Sequence, residues 1–251
     1  MAYSHFLKKE SWGQKIEPWH RKALGHVIRH LLKEKNVVSD QLRILDIGCG
    51  KGVISEYFMK NIKRCFHVNV EVYGIDIVED FSMSVKSRGA RFYKCDVSFE
   101  KLPFPDDYFD IVLAFEVIEH LLIPENFLHE AYRVLKNDGI IIITTSPNLR
   151  WWANILLLIL GYQPYIPDTG FYKNYGTFSE VEPGGHIRAY TPKSLKEIVR
   201  SSGFRVVKLI GMPQPYQPNK KWKLLFKAWD KLVSKCFPGL AYDLMLIAKR
   251  G

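Results

Sequence analysis

The fold of this 251-residue chain is decided by one stretch, Ile44-Leu45-Asp46-Ile47-Gly48-Cys49-Gly50-Lys51-Gly52. An apolar segment is followed by glycine at three alternate positions, 48, 50 and 52. Glycine tolerates positive φ and lets a ligand approach the bare backbone. The dinucleotide fingerprint Gly-x-Gly-x-x-Gly would need its third glycine where Val53 stands, and no Gly-Lys-Ser/Thr sequence of a triphosphate-binding loop follows. The stretch therefore predicts a strand, a ligand-binding loop and a helix, and it disfavours a nicotinamide dehydrogenase.

Outward from this loop, short apolar segments alternate with helical stretches. Several are continuous Val, Ile and Leu runs, which are typical of parallel strands covered by helices on both faces. The seven predicted strands are Arg43–Ile47, Val70–Ile75, Ala90–Lys94, Phe109–Phe115, Ile140–Thr145, Arg205–Ile210 and Leu244–Ala248. The sequence therefore predicts a doubly wound α/β fold, with a later helix that begins at Thr191-Pro192.

The composition favours a globular chain with an anionic partner. A net charge of +10 suits RNA, an acidic membrane surface, an anionic glycan or an acidic protein, although a lysine-rich surface kept for solubility explains it equally well. The four cysteines form no CxxC pair, and residues 1–10 lack the apolar core of a signal peptide. The apolar run 155–160 is far below the roughly 20 residues that span a bilayer. We expect a cytoplasmic protein, with a position peripheral to the membrane as the alternative.

Further motifs follow the glycine loop in a fixed order. They are Val72–Asp76, Lys94–Asp96, Leu102–Val112, Glu116–Leu121 and Arg133–Gly139, with a weaker match over His186–Phe204. Together with the loop they resemble the class I S-adenosylmethionine (SAM)-dependent methyltransferases over about residues 41–147. The resemblance implies a Rossmann-like sheet of order 3-2-1-4-5-7-6 whose last strand is antiparallel. It also implies an enzyme that uses SAM and releases S-adenosylhomocysteine.

The resemblance assigns a cofactor role to several residues. Asp76 would accept hydrogen bonds from the ribose hydroxyls, and Asp96 would accept one from the adenine amino group. Asp46 would brace the loop, where Gly48 and Gly50 leave room for the methionine half of SAM. The remaining expected cofactor contacts are Cys49, Ile77, Val97 and Phe115. Taken singly, Asp76 could equally be a strand-end cap and Asp96 the start of an Asx turn.

A second group of candidates follows the fourth predicted strand. Glu116, Glu119 and His120 are spaced i, i+3, i+4, which predicts one helical face. The segment is similar to ubiquinone-pathway O-methyltransferases and to small-RNA 2′-O-methyltransferases, and that likeness implies a divalent metal completed by His186. We take His120, His186 and Glu116 as catalytic candidates. In the alternative interpretation the glutamates orient a helix start or the SAM amino group, and His186 only bonds a loop carbonyl.

Two insertions interrupt the α/β alternation, and long insertions are usually lids or binding surfaces. The first, residues 148–190, carries aromatic side chains that either stack on an acceptor or form the core of a lid: Trp151, Trp152, Tyr162, Tyr165, Phe171, Tyr172, Tyr175 and Phe178. The chain would thus be one domain, with a helical cover (1–40), a SAM-binding core (41–147), the lid (148–190) and a C-terminal part (191–251).

The second insertion contains a predicted basic amphipathic helix over residues 220–237. Its apolar stripe comprises Trp222, Leu225, Phe226, Trp229, Leu232, Val233 and Phe237. Its lysines are Lys220, Lys223, Lys227, Lys231 and Lys235. Such a helix either packs on the domain with its lysines in water or rests on an anionic membrane or partner.

The sequence thus favours methyl transfer from SAM to a hydroxyl of a small molecule, glycan or lipid-linked precursor. An RNA 2′-O-methyltransferase is the second hypothesis, although no appended RNA-binding module is evident. The third is a SAM-binding regulator or partner subunit without turnover.

Overall fold

The computed structural model describes residues 21, 24, 25, 27, 28, 41–178, 182–214 and 221–251, and for residues 221–223 it describes the backbone alone. The expected helical cover over residues 1–40 lies almost wholly outside the described residues. So do Lys220 and the side chains of Trp222 and Lys223. Leu24 and Val27, which are described, are fully buried against one face of the sheet.

The described elements alternate between strands and helices. The strands are β1 (Gln41–Ile47), β2 (Asn69–Asp76), β3 (Arg91–Lys94), β4 (Phe109–Phe115), β5 (Leu135–Thr145), β6 (Phe204–Met212) and β7 (Asp243–Arg250). The helices are α1 (Val53–Phe66), α2 (Ser82–Ser87), α3 (Pro124–Val134), α4 (Trp152–Ile159), α5 (Pro192–Ser201) and α6 (Lys221–Cys236). Short 3₁₀ turns lie at Glu79–Phe81, Ile118–His120 and Pro238–Leu240.

All seven strands form one sheet of order β3-β2-β1-β4-β5-β7-β6, which confirms the predicted fold. Strands β1 to β5 pair in parallel, and β7 runs antiparallel to both β5 and β6. Because β6 therefore points the same way as β5, both strands end at the edge where β1, β2 and β4 end. The glycine loop after β1 and both insertions leave the sheet from this carboxyl edge, where open α/β sheets bind ligands.

The sheet is covered on both faces. Every residue from Ile140 to Thr145 is buried, and so are Ile111 to Phe115, which explains why these strands read as continuous apolar runs. Helix α5 begins as expected. Thr191 accepts a hydrogen bond from the Ser194 backbone, Ser194 reciprocates, and Pro192 occupies the first helical turn.

The two insertions meet at one buried carboxylate. The indole nitrogens of Trp151 and Trp152 both donate to Oδ1 of Asp230 at 2.8 Å, and the Gln214 backbone donates to Oδ2 at 2.7 Å. Asp230 lies on α6 and is 1% exposed. Among the lid aromatics, Trp151 is therefore a core residue, whereas Tyr172 is 91% exposed.

The predicted single apolar stripe of the basic helix is wrong in one respect. Phe226 packs against Trp152 and Val233 is buried, but Leu225, Trp229 and Leu232 face solvent. The buried face of α6 runs instead through polar Asp230 and Ser234. No described helix is long and apolar enough to cross a bilayer.

Candidate active site

The loop after β1 combines positive φ with close packing. Gly48, Gly50 and Gly52 have φ of 68°, 50° and 75°. A Cβ on Gly48 would collide with a methyl group of Val117, whereas a Cβ on Gly50 would meet nothing within 4 Å. The loop thus packs tightly on one side and leaves bare backbone open on the other, which is the shape a bound ligand needs.

Asp46 ties this loop to the helix that follows it. Its carboxylate is 2% exposed and accepts a short hydrogen bond from the Ser55 hydroxyl, in the first turn of α1. Burial raises the pKa of Asp46 to about 7, while the bond from Ser55 acts in the opposite direction. Ser55, which the sequence analysis did not single out, is therefore part of the bracing that was assigned to Asp46.

The raised pKa gives Asp46 a testable effect on stability. Between about pH 4 and pH 7 the unfolded chain loses this proton while the folded chain keeps it, so the free energy of unfolding falls by about 1.4 kcal/mol per pH unit. Asp46→Asn removes the ionisation, so its free energy of unfolding should lack this fall. In denaturant titrations of the ligand-free protein, the stability of the variant relative to wild type should therefore rise from about pH 4 to pH 7 and stay constant above pH 7. Parallel curves for Asp46→Asn would contradict the assignment.

The two further acids end neighbouring strands. Asp76 ends β2 and accepts hydrogen bonds at 2.9 Å from the backbones of Gly50 and Val78. Burial raises its pKa, and the backbone N–H groups of Val78, Gly50 and Ile77 partly offset that shift. A carboxylate has about four lone-pair sites, so these contacts leave room for a further donor. Asp96 follows β3 and accepts from the Ser98 backbone at 3.0 Å, so it starts an Asx turn.

The other expected cofactor contacts differ in exposure. The side chains of Cys49, Val97 and Phe115 are buried in the two cores, whereas Ile77 is 40% exposed beside Asp76. Burial raises the pKa of the Cys49 thiol well above its ordinary value. Val97 is therefore placed to offer backbone rather than side-chain atoms to a ligand. The Cys49 backbone is engaged within the protein, because its N–H donates to the Ile75 carbonyl and its carbonyl accepts from the Gly52 N–H, both at 2.9 Å.

Glu116, Glu119 and His120 do not share a helical face, so that expectation is wrong. Glu116 has a φ of 54°, which is strained for a residue with a side chain, and only Ile118–His120 forms a 3₁₀ turn. The Glu116 carboxylate accepts hydrogen bonds from Thr144, at 2.6 Å, and from Ser146. Burial and the charge of Glu119 raise the pKa of Glu116 to about 8.

Three of the four expected metal ligands nevertheless come together. Glu119, His120 and His186 each offer one ligand atom, and these atoms all lie within 4.8 Å of one another. Glu119 is fully buried, and its Oε2 has no hydrogen-bond partner. Burial raises the pKa of Glu119 to about 7. The two imidazole rings stack with centroids 4.9 Å apart.

The imidazole of His120 has a defined tautomer in its neutral form. Its Nδ1 lies 2.9 Å from the carbonyl oxygen of Gly185, which can only accept, so Nδ1 carries the proton and Nε2 the lone pair. Burial lowers the pKa of His120, and burial together with His120 lowers that of His186 to about 4. Both rings are therefore neutral at neutral pH and able to bind a metal or accept a proton.

Asp168 holds the loop that carries His186, and the sequence analysis missed it. Its Oδ2 accepts from the backbones of Gly184 and His186 at 2.9 Å, and its Oδ1 accepts from Asn174 at 3.0 Å. The Glu119 carbonyl oxygen also accepts hydrogen bonds from the loop. A lone aspartate in an insertion carries no motif, so no signal in the sequence could have found it.

Asp243, the first residue of β7, was also missed. It is 1% exposed, and neither carboxylate oxygen has a hydrogen-bond partner. Burial and the charge of Glu116 raise its pKa well above the ordinary value. Glu116, Glu119 and Asp243 thus form a group of buried or half-buried acids, and burial together with the charges within the group raises the pKa of Glu116 and of Asp243.

Comparison with known sequences identifies the same part of the chain. Residues 45–143 match the family described as "Methyltransferase domain". A curated relative, the ubiquinone biosynthesis O-methyltransferase of Bradyrhizobium diazoefficiens, is 32% identical over 171 residues, which are 62% of this chain and 63% of that protein. The chain matches less than two thirds of the length of its first curated relatives, from 35% to 63%.

Solved structures of low sequence identity share the fold. A protein from Pyrococcus horikoshii is 18% identical, with a TM-score of 0.59 over 99% of both chains. A SAM-dependent methyltransferase from Aquifex aeolicus is 17% identical, with a TM-score of 0.53 over 89% of both chains. These likenesses support the architecture of the sheet over nearly the whole length of the chain.

Proposed function

We propose that this chain, which belongs to the class I SAM-dependent methyltransferase family, transfers a methyl group from SAM to a hydroxyl oxygen. The acceptor class we favour is a small molecule, a glycan or a lipid-linked precursor. The observation that carries the proposal is the joint placement of the open Gly50 backbone and the Asp76 carboxylate at the carboxyl edge.

The residues of the loop fit the cofactor. SAM supplies a methyl group already activated as a sulfonium. The chain's part is to hold and orient that donor, exclude water and remove a proton from the acceptor. Asp76 would hold the ribose through the remaining lone pairs of its oxygens, and Asp96 would hold the adenine amino group. Gly48 and Gly50 would admit the methionine half: a side chain on Gly50 would enter the open space beside the backbone, and one on Gly48 would collide with Val117 and displace the loop.

The site beyond the loop fits a divalent metal. An unpartnered carboxylate oxygen on Glu119 and two neutral imidazoles form a mixed donor set that suits Mg²⁺, Mn²⁺, Fe²⁺ or Zn²⁺. The Nδ1 bond from His120 to a backbone carbonyl is the usual support of a ligating histidine. A metal held by Glu119, His120 and His186 would lower the pKa of an acceptor hydroxyl.

Glu116 has a different part in this proposal. Its carboxylate is engaged by Thr144 and Ser146, and its ligand atoms do not join the metal-ligating group of Glu119, His120 and His186. Its strained backbone turns the chain directly after β4, and the 3₁₀ turn that carries Glu119 and His120 follows two residues later. We therefore assign Glu116 to positioning. A neutral imidazole has one ring lone pair, so a histidine that binds the metal cannot also take the acceptor proton. If no metal is held, His120 or His186 would remove that proton instead.

The three-ligand group also favours a second candidate, methylation of an RNA 2′-hydroxyl. The same metal chemistry would serve that acceptor, and the chain has a net charge of +10. A SAM-binding regulator without turnover is the third candidate, and it is the one that the acid and histidine constellation supports least.

The test is transfer of labelled methyl from SAM to panels of phenolic, glycan, lipid-linked and RNA acceptors. We expect labelled product from one hydroxyl-bearing class, loss of product on chelation and its return with Mg²⁺ or Mn²⁺. Chelation should leave binding of S-adenosylhomocysteine unchanged. Product on nitrogen acceptors only would contradict hydroxyl methylation, and turnover indifferent to chelator would contradict the metal.

A further inference from the structure

Helix α6 presents three different faces. Asp230, Val233 and Ser234 form the buried one, and Phe226 beside them is half-buried. Two other stripes are exposed, and each is rotated from the buried face by about a third of a turn around the helix axis, at about 3.6 residues per turn. One is apolar and contains Leu225, Trp229 and Leu232, which are 76%, 54% and 54% exposed. We call it the apolar stripe.

The other exposed stripe is basic and contains Lys227, Lys231 and Lys235. An ordinary amphipathic helix buries its apolar face and exposes its charged one. Helix α6 buries a carboxylate through Trp151 and Trp152 and leaves Trp229 and two leucines in water. The exposure of the apolar stripe therefore marks it as a candidate docking surface within the described part of the chain.

Helix α4 extends the same kind of surface. It is joined to α6 through the bonds to Asp230 and through the packing of Trp152 on Phe226, with ring centroids 5.0 Å apart. Its outer side exposes Leu156, Leu158 and Ile159, the last by 76%. Exposed apolar side chains grouped on neighbouring helices are found at interaction sites on folded proteins.

We infer that α6, with α4 beside it, docks on an anionic lipid surface. Long aliphatic side chains and a tryptophan beside a lysine stripe are the features of interfacial helices, because the apolar groups enter the bilayer boundary while lysines reach the phosphates. Charge complementarity favours lipid over a second copy of the chain. A twofold interface on this patch would bring the lysine stripes of both copies together.

Both helices follow the carboxyl ends of strands, so docking would turn the edge that carries Asp76 and His120 toward the bilayer. This would give the site access to a lipid-linked acceptor. The orientation of the site rests on the proposed function, whereas docking itself does not.

Vesicle co-sedimentation tests the inference without any methyl transfer. Wild type should sediment with vesicles of equal parts phosphatidylglycerol and phosphatidylcholine at low salt, less at high salt, and not with phosphatidylcholine alone. The double variant Leu225→Ser/Trp229→Ser should reduce binding about tenfold or more. The triple variant Lys227→Gln/Lys231→Gln/Lys235→Gln should do the same.

The chain offers a matched charge control at the opposite edge of the sheet. Lys63 and Arg64 lie at the end of α1 and Lys86 near the end of α2, all exposed. Their triple glutamine variant removes the same charge and should bind vesicles as wild type does. Unchanged thermal melting and binding of S-adenosylhomocysteine would show that each variant is folded.

Three outcomes would overturn docking on lipid. The first is wild type that stays in the supernatant with anionic vesicles. The second is equal loss of binding in the α6 lysine variant and the control, since net charge alone would then explain it. The third is a wild-type protein that forms a dimer, does not bind vesicles and becomes monomeric in Leu225→Ser/Trp229→Ser. The apolar stripe would then be an interface between copies.

Discussion

His120→Ala is expected to lower methyl transfer about a thousandfold while the affinity for S-adenosylhomocysteine stays within about twofold of wild type. The imidazole belongs to the group formed with Glu119 and His186, and none of these residues lies in the glycine loop. Losing it would remove a metal ligand or proton acceptor and would leave the cofactor cradle intact. Single-turnover assays and calorimetry measure the two quantities separately.

Two further variants separate chemistry from loop positioning. His120→Asn can still donate to the Gly185 carbonyl through its side-chain amide, so it should keep the loop in place and still be inactive. His129→Ala, at an exposed position on α3, is the matched control and should behave as wild type. Recovery of activity in His120→Asn would reduce His120 to a loop anchor. Parallel losses of turnover and S-adenosylhomocysteine affinity in His120→Ala would contradict the division of the site.

Asp76→Ala is expected to weaken binding of S-adenosylhomocysteine about a hundredfold, since hydrogen bonds to a charged acceptor contribute about 1.5–3 kcal/mol each. The variant would lose the expected bonds to the ribose and the observed bonds to Gly50 and Val78. Asp76→Asn keeps one carbonyl oxygen and should lie between the two. Isothermal titration calorimetry gives all three affinities.

A nearby acid supplies the control for Asp76. Glu79→Ala removes an exposed carboxylate whose ion pair with Lys94, at 3.3 Å, is a surface contact of little energetic value. It should leave the affinity unchanged. If Asp76→Ala and Glu79→Ala bind S-adenosylhomocysteine equally well, Asp76 is only a cap at the end of β2.

The sheet could be predicted from the sequence because its strands are buried on both faces. Runs such as Ile140–Thr145 and Phe109–Phe115 admit few other interpretations, and the observed bounds of β4 match the expected ones. The glycine loop could be predicted equally well, because positive φ at three alternate positions favours glycine at each of them. Asp46 and Asp76 were assigned through the resemblance to the methyltransferase motifs, and the structure places them as the second-to-last residue of β1 and the last residue of β2.

Contacts made across the fold could not be predicted in the same way. Ser55, Ser146 and Asp168 are ordinary polar residues whose partners lie 9, 30 and 18 residues away. The spacing of Glu116 and His120 fits a helix, but it fits a strained turn followed by 3₁₀ geometry just as well. Likewise, periodicity located the apolar side of α6 without showing that Asp230 would occupy the buried face.

The most direct measurement is calorimetric titration of folded wild-type protein with S-adenosylhomocysteine. We expect saturable binding of one equivalent, greatly weakened in Asp76→Ala and retained in His120→Ala. Folded protein that takes up neither S-adenosylhomocysteine nor SAM would contradict the claim that the loop at residues 46–52, together with Asp76 and Asp96, holds the methyl donor.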